Sequence, residues 1–340
     1  MQSSLQQTLQ RLGQQAITDR QELKETLIAL LELTDFQPVY ALADRIRAQE
    51  KGDQVWIRAI LEFSNYCRRS CAYCGLNCHN RQIERYRMTA EEMIATAIQA
   101  NAAGYHTLVM QSGEDPYFNA ERLGAIIQAI KKQTKEMAIT VSCGEQPKAT
   151  YAYWRECGAN RYLLKHETAD PELYQKLHPC GTLANRIQCL KTLKALGYET
   201  GSGFMIGLPG QTTATIAEDL LLLKEIGCDM AGIGPFIPHP ATPLAHAESG
   251  STELTTRAVA LARILLPQAN LPATTALGVM DQEAKHHAFS SGANVVMKKV
   301  TPQQYKTLYE IYPAQFAPTN IMAERQELEA QIKALDRIPI

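Results

Sequence analysis

The chain has 340 residues, 45% of them hydrophobic and 20% charged, with a formal net charge of −1. That length allows two ordinary domains or one large barrel with a substantial core, while the charge balance gives no electrostatic case for nucleic acid as a partner. No apolar run is long enough to span a bilayer, and the opening residues MQSSLQQTLQRLGQQ lack the apolar centre and cleavage site of a signal peptide, so the expectation is a cytoplasmic protein with no membrane partner.

Residues 1–50 read as helical and form an expected N-terminal extension. A rhythm then begins in which short β-branched runs alternate with amphipathic helical stretches. The expected strands are VWIRAILEFS (55–64), HTLVMQS (106–112), MAITVSCGE (137–145), RYLLKHET (161–168), TGSGFMIGL (200–208), MAGIGPFIP (230–238), LPATTALG (271–278) and ANVVMK (293–298). A helical pattern follows each. TAEEMIATAIQANAAG (89–104) opens on a threonine with glutamate three residues later, a capping box, and ends at a glycine. TTATIAEDLLLLKEIG (212–227) starts with a threonine cap and stops at Gly227. Eight strand–helix units predict an α/β fold, a complete (β/α)8 TIM-type barrel over residues 51–315. Residues 316–340 are expected to form a helical tail.

In such a barrel, chemistry belongs at the C-terminal strand ends. Polar residues recur there: the cysteine loop after strand one, Ser112 and Glu114 after two, Ser142 and Glu145 at three, Lys165, Glu167 and Thr168 at four, His239 after six, and Thr274 and Thr275 within seven. GSGFMIGLPG (201–210) is not a dinucleotide fingerprint, because Ile206 stands where the third glycine is required. Its glycines suit close approach of a ligand to the strand backbone.

Four of the nine cysteines fall within NYCRRSCAYCGLNCHN (65–80). The other five, Cys143, Cys157, Cys180, Cys189 and Cys228, are scattered and read as small apolar residues. A structural zinc site wants four closed ligands, often as two CxxC pairs; here the spacing C-x3-C-x2-C-x3-C contains one. A ferredoxin-type cluster also wants four cysteines, the fourth usually distant and followed by proline, whereas His79 follows Cys78. The third option uses Cys67, Cys71 and Cys74 and leaves one iron of a 4Fe-4S cluster open, as a catalytic metal requires. On that reading Cys78 is more often a bystander than a ligand. Arg68, Arg69, Arg81 and Arg85 flank the loop and could offset cluster charge, dock an electron donor, or form a solvated basic face.

The C-x3-C-x2-C spacing, with Tyr73 just before the last cysteine, resembles the radical S-adenosylmethionine (SAM) superfamily. There the open iron chelates the methionine moiety of SAM, and one electron from the cluster releases a 5′-deoxyadenosyl radical. The longer motifs FSNYCRRSCAYCGL, RYRMT, MQSGEDPYF, RYLLKHETADPELYQKLHP, GYETGSGFMIGLPGQT, DMAGIGPFIPHPATPLA, LPATTALG and GANVVM are similar to the HydE family of FeFe-hydrogenase maturases, from about residue 20 to residue 315.

The resemblance implies a 4Fe-4S cluster on Cys67, Cys71 and Cys74, and SAM held by Ser112, Glu167 and Arg186. Glu114, in the SGED segment, is a further candidate for SAM. It also implies that Ser142, Thr274, Thr275 and Tyr305 lie nearer a substrate cavity. The implied partners are a small-molecule or organometallic substrate, a reductase or a flavodoxin or ferredoxin as electron donor, and other hydrogenase maturases. The implied role is in building the bridging dithiolate of the diiron site. Two departures stand out. No cysteine follows Cys228, which removes the accessory cluster many members carry; and Lys165 stands where the strand-four motif has arginine, losing the planar fork. Alternatives are a methylornithine synthase-type rearrangement on the same machinery and a non-enzymatic iron–sulfur carrier.

Overall fold

Three helices lead into the barrel: α1 (Gln2–Gly13), α2 (Arg20–Leu31) and α3 (Gln37–Lys51). The computed structural model describes residues 2–134, 136–314 and 320–340; the expected boundary between barrel and tail, at 315 and 316, lies outside them. Asp19 caps α2 by accepting from the Glu22 N–H, and proline follows the first residue of α3, where its missing N–H costs nothing. The buried faces of α2 and α3 lie on the helices Thr213–Ile226 and Thr252–Leu265.

The strands are β1 (Gln54–Ser64), β2 (Thr107–Ser112), β3 (Ala138–Ser142), β4 (Arg161–Leu163), β5 (Glu199–Ser202), β6 (Met205–Ile206), β7 (Met230–Ala231), β8 (Gly234–Pro235), β9 (Pro272–Ala273), β10 (Val295–Lys299) and β11 (Ile338–Pro339). Eight of them form one parallel sheet in the order β7-β5-β4-β3-β2-β1-β10-β9. A parallel bridge between Met230 and Asn270, on the approach to β9, closes the ring, with Ala231 N–H donating to Asn270 O at 3.1 Å. The alternation of β1 separates two environments. Ala59, Leu61 and Phe63 join the core shared with the outer helices. Arg58 points the other way, across the barrel, to the Met230 sulfur at 3.1 Å.

The expected strands exist, but several are shorter or interrupted. The fifth splits into β5 and β6, and the sixth into β7 and β8; β6 and β8 pair as a separate ladder. Glycine explains the break: a Cβ on Gly203 would lie 2.0 Å from Gly232 O, so the two backbones touch where the strands leave the barrel. The seventh expected strand is corrected more sharply. Only Pro272–Ala273 pairs, and Thr275–Met280 is helical, with the Thr274 side chain as its N-cap. Thr-Thr before Ala-Leu-Gly is a helix start that a β-branched count mistakes for strand.

Helix α4 (Ala90–Ala102) carries the expected capping box: Glu92 N–H donates to Thr89 Oγ1 at 3.2 Å, and Thr89 N–H donates to Glu92 Oε2 at 2.8 Å. The helix Thr213–Ile226 stops at Gly227 in the left-handed region, φ 65°. Past the helix Ile321–Lys333, β11 returns to pair with the first residues of β1. Among the described residues no helix is long and apolar enough to cross a membrane.

Candidate active site

The loop 65–80 leaves the C-terminal end of β1 and has no regular structure, so its backbone must be held by neighbours. Arg68 N–H donates to Glu114 O at 3.0 Å, Ala72 N–H to Leu177 O at 2.9 Å, and Gly75 N–H to Ile311 O at 3.1 Å. Arg85 is a staple rather than a solvated basic face. Its guanidinium donates to the carbonyls of Leu76 (2.9 Å), Asn77 (2.8 Å) and Asn80 (3.2 Å), and to that of Asn65. Tyr73 OH and His178 Nε2 lie 3.0 Å apart, tying the loop to the residue after the helix Pro171–Leu177. Burial, and next the Arg186 charge, pull the His178 pKa down to about 3, so its neutral ring serves as a hydrogen-bond partner.

The three expected ligands lie within electrostatic reach of one another. As free thiols all three are pushed up by burial, Cys74 to about 12; ionised Cys74 and Cys67 would push Cys71 up further, and ionised Cys67 would do the same to Cys74. Half-buried thiols that repel one another's ionised forms suit a shared cationic centre bound among them. Among the described residues no three His, Cys, Asp or Glu side chains converge on a single-ion site, whereas cubane ligands grip separate irons. Cys78 is half-buried and is held through its N–H to Arg69 O at 2.8 Å.

A buried ionic network fixes the loop to strands β2 and β3. Glu114 Oε2 accepts from Arg69 Nε at 2.5 Å and Arg68 Nε at 3.2 Å, and its Oε1 accepts from Glu145 N–H at 2.8 Å. Glu145 Oε2 accepts from Asn185 at 2.6 Å and Arg69 at 3.1 Å, and Oε1 from Arg186 Nε at 2.6 Å. Arg186 sits in the first turn of the helix Leu183–Ala195 and also donates to Lys165 O. Glu114 therefore clamps loops together, with both oxygens engaged.

Glu167 lies within electrostatic reach of Tyr73 and Cys74. It accepts from Lys165 Nζ at 2.9 Å, and its backbone is left-handed, φ 67°. That conformation costs a non-glycine residue on the order of 1 kcal/mol or more and persists where surroundings impose it. Ser112 and Ser142 sit half-buried at the ends of β2 and β3; Ser112 Oγ donates to Gly113 O at 2.7 Å. Thr274 Oγ1 lies over Gly234, 2.9 Å from where a Cβ would be, and Thr275 opens the following helix.

Tyr305 OH donates to Glu92 Oε1 at 2.9 Å and its ring stacks on Tyr86, 4.7 Å between centroids, which ties it to the start of outer helix α4. Reading sequence alone missed three pairings: Tyr73–His178, Glu62–Lys299 at 2.7 Å, and His166–Asp219 at 3.4 Å. The last had a signal, an aspartate inside the apolar run IAEDLLLL.

The radical SAM superfamily pattern matches residues 61–223, which contain all three cysteines. The chain is 50% identical over 305 residues to the [FeFe] hydrogenase maturase subunit HydE of Thermotoga maritima, covering 90% of this chain and 86% of that protein. This chain belongs to the radical SAM superfamily, in its HydE family. A second relative, the 3-methylornithine synthase of Methanosarcina acetivorans, is 32% identical over 85% of this chain and 82% of its own length. The solved structure of methylornithine synthase (PylB) superposes with a TM-score of 0.85 at 25% identity, over 98% of this chain and 97% of that one.

As a radical SAM enzyme of the HydE type, the protein uses a 4Fe-4S cluster and SAM. When bound, the cluster supplies the electron that cleaves the sulfonium of SAM to a 5′-deoxyadenosyl radical. The chain's own contribution is to hold the loop. Gly113 lies so close that a Cβ there would fall 2.3 Å from Tyr66 O and 2.7 Å from Cys67 Cβ. The donor set fits the group: three thiols in one clamped loop, with a buried cation, Arg186, acting on Cys71.

Proposed function

We propose that the protein takes part in maturation of FeFe-hydrogenase, contributing to the bridging dithiolate of the diiron site. Cys67, Cys71 and Cys74 carry the cluster; Ser112, Glu167 and Arg186 hold SAM. Ser142, Thr274 and Thr275 border the space for a small or organometallic substrate. Residues 51–315 form the catalytic barrel, with 1–50 and 316–340 as packing extensions. The protein works in the cytoplasm with a reductase, a flavodoxin or a ferredoxin as electron donor and with other maturases. The observation that carries this reading is 50% identity to HydE over nine-tenths of the chain, in a barrel whose cysteine loop is clamped at the strand ends.

The test has two arms. Reduced, reconstituted protein incubated anaerobically with SAM should yield 5′-deoxyadenosine. Cys67→Ala, Cys71→Ala and Cys74→Ala should each abolish it, and Cys78→Ala should retain it. Co-expressed with an FeFe-hydrogenase in a host deprived of its own HydE-type maturase, the protein should restore hydrogen evolution. The rearrangement alternative has its own support in PylB, with a TM-score of 0.85; formation of 3-methylornithine without hydrogenase rescue would establish it instead. Absence of 5′-deoxyadenosine from cluster-loaded protein would leave a carrier role.

A further inference from the structure

Three non-glycine residues among those described have positive φ: Gln15, Glu167 and Asp336. Only Glu167 belongs to the active site. Its left-handed turn must be imposed by its surroundings, and buried side chains flank it on both sides in the chain. His166 is fully buried. Its Nδ1 lies 2.9 Å from Ser202 Oγ, and its backbone N–H donates to the same oxygen at 3.2 Å. Ser202 Oγ in turn donates its single proton to Leu164 O at 3.1 Å. The serine must therefore accept from the ring, so Nδ1 carries the hydrogen. A neutral ring then presents a lone pair at Nε2, which faces Asp219 Oδ1 at 3.4 Å.

Asp219 is also fully buried, on the helix Thr213–Ile226. Its Oδ1 accepts from the Ala169 N–H, just past Glu167. Among the described residues, His166 Nε2 and Asp219 Oδ2 have no other hydrogen-bond partner. One proton between His166 Nε2 and Asp219 Oδ1 gives the ring its missing partner and leaves the pair neutral, as a site without water requires. The chain between the two anchors runs His166–Glu167–Thr168–Ala169, with Thr168 N–H closing onto His166 O at 2.8 Å and Glu167 N–H onto Gly203 O at 3.0 Å.

We propose that His166 and Asp219 are a positioning pair, which grips the two ends of this turn so that the Glu167 carboxylate is aimed at the ribose of SAM. The inference rests on the reading that Glu167 holds SAM. Neither residue touches the cosubstrate. Their effect passes through the backbone of Glu167, and it bears on binding more than on the chemical step.

The test uses cluster-loaded protein under argon, with S-adenosylhomocysteine as an unreactive probe. Its affinity is measured by calorimetric titration, alongside the melting temperature and the 5′-deoxyadenosine rate at saturating SAM. Glu167→Ala should weaken the probe by ~10-fold or more, and His166→Phe and Asp219→Leu by ~10-fold each, with the saturated rate of the latter two within ~3-fold. Asp219→Asn, which keeps an oxygen for the Ala169 N–H but loses the proton shared with His166, should bind the probe more tightly than Asp219→Leu and more weakly than the parent. Added to Glu167→Ala, Asp219→Leu should cost almost nothing more, because both act through one contact. If His166→Phe does not fold, Asp219→Leu carries the same comparison. Unchanged affinity in Glu167→Ala would refute the SAM role of Glu167 itself. Loss in Glu167→Ala with none in Asp219→Leu, or losses that add in the double variant, would refute the positioning role alone.

Discussion

Glu145 shows how a single carboxylate is settled by its partners. Burial alone would raise its pKa, but the adjacent Arg186 charge and hydrogen bond, then Arg69 and Asn185, outweigh burial and hold it below its ordinary value of 4.5. A depressed folded-state value stabilises the protein above the unfolded value, and that contribution is lost as pH falls through the folded one. Glu145→Gln should therefore lower stability at pH 7 by about 2 kcal/mol, the scale of a charge-assisted hydrogen bond. The gap to the parent should narrow once the pH drops below 4.5; urea unfolding of both proteins at a series of pH values measures it. Residues of this kind are only partly legible in sequence. The cysteine triplet has its own spacing, and Glu167 its place at a strand end. Whether Glu114 stands free or clamps, or Tyr305 points inward or stacks on Tyr86, depends on partners 31 to 219 residues away in the chain, and no local pattern encodes those.

At the scale of elements, helix ends are legible in the sequence wherever one local signal dominates. Thr89 with Glu92, and Gly227 after its helix, are short-range devices, and the helices follow them. The strands were overextended where a backbone contact between distant segments ended the pairing. Gly203 against Gly232 divides two strands, yet nothing within either run announces the other. Gly113 gives the same type of contact a functional edge. Its missing side chain lets the turn after β2 press on Tyr66 O and Cys67 Cβ, neither of which can rotate away. Gly113→Ala should cost on the order of 1–3 kcal/mol in overpacking, and the displaced segment is the one that bears the first cysteine. The expected outcome is a folded protein with reduced iron content after reconstitution, measured by iron analysis beside circular dichroism. Full iron loading at unchanged stability would show that the loop adjusts freely.

For the whole molecule, the question is how a ring of eight parallel strands closes when its last joint is a single bridge at Met230–Asn270. Arg263, fully buried on the helix Thr252–Leu265, answers it. Its guanidinium donates to Gly292 O at 2.8 Å, Pro267 O at 2.8 Å, Ala269 O at 2.7 Å and Asn294 Oδ1 at 2.9 Å. Those acceptors belong to the two segments that enter β9 and β10. Asn294 passes the connection on, accepting from Leu271 N–H at 2.9 Å and donating to Asn270 Oδ1 at 2.9 Å. One planar fork thus organises the closing side of the barrel at the N-terminal strand ends, opposite the cysteine loop. Lysine keeps the charge but has three donors on one atom and no fork, so Arg263→Lys leaves buried carbonyls unpaired. The expected loss is about 2–4 kcal/mol, from one or two unsatisfied groups. It should be read as a lower urea midpoint, with S-adenosylhomocysteine affinity within ~2-fold of the parent because the closure and the site occupy opposite ends. A variant of parental stability would mean that strand pairing alone closes the ring. One that lost affinity in step with stability would mean the two ends of the barrel are coupled.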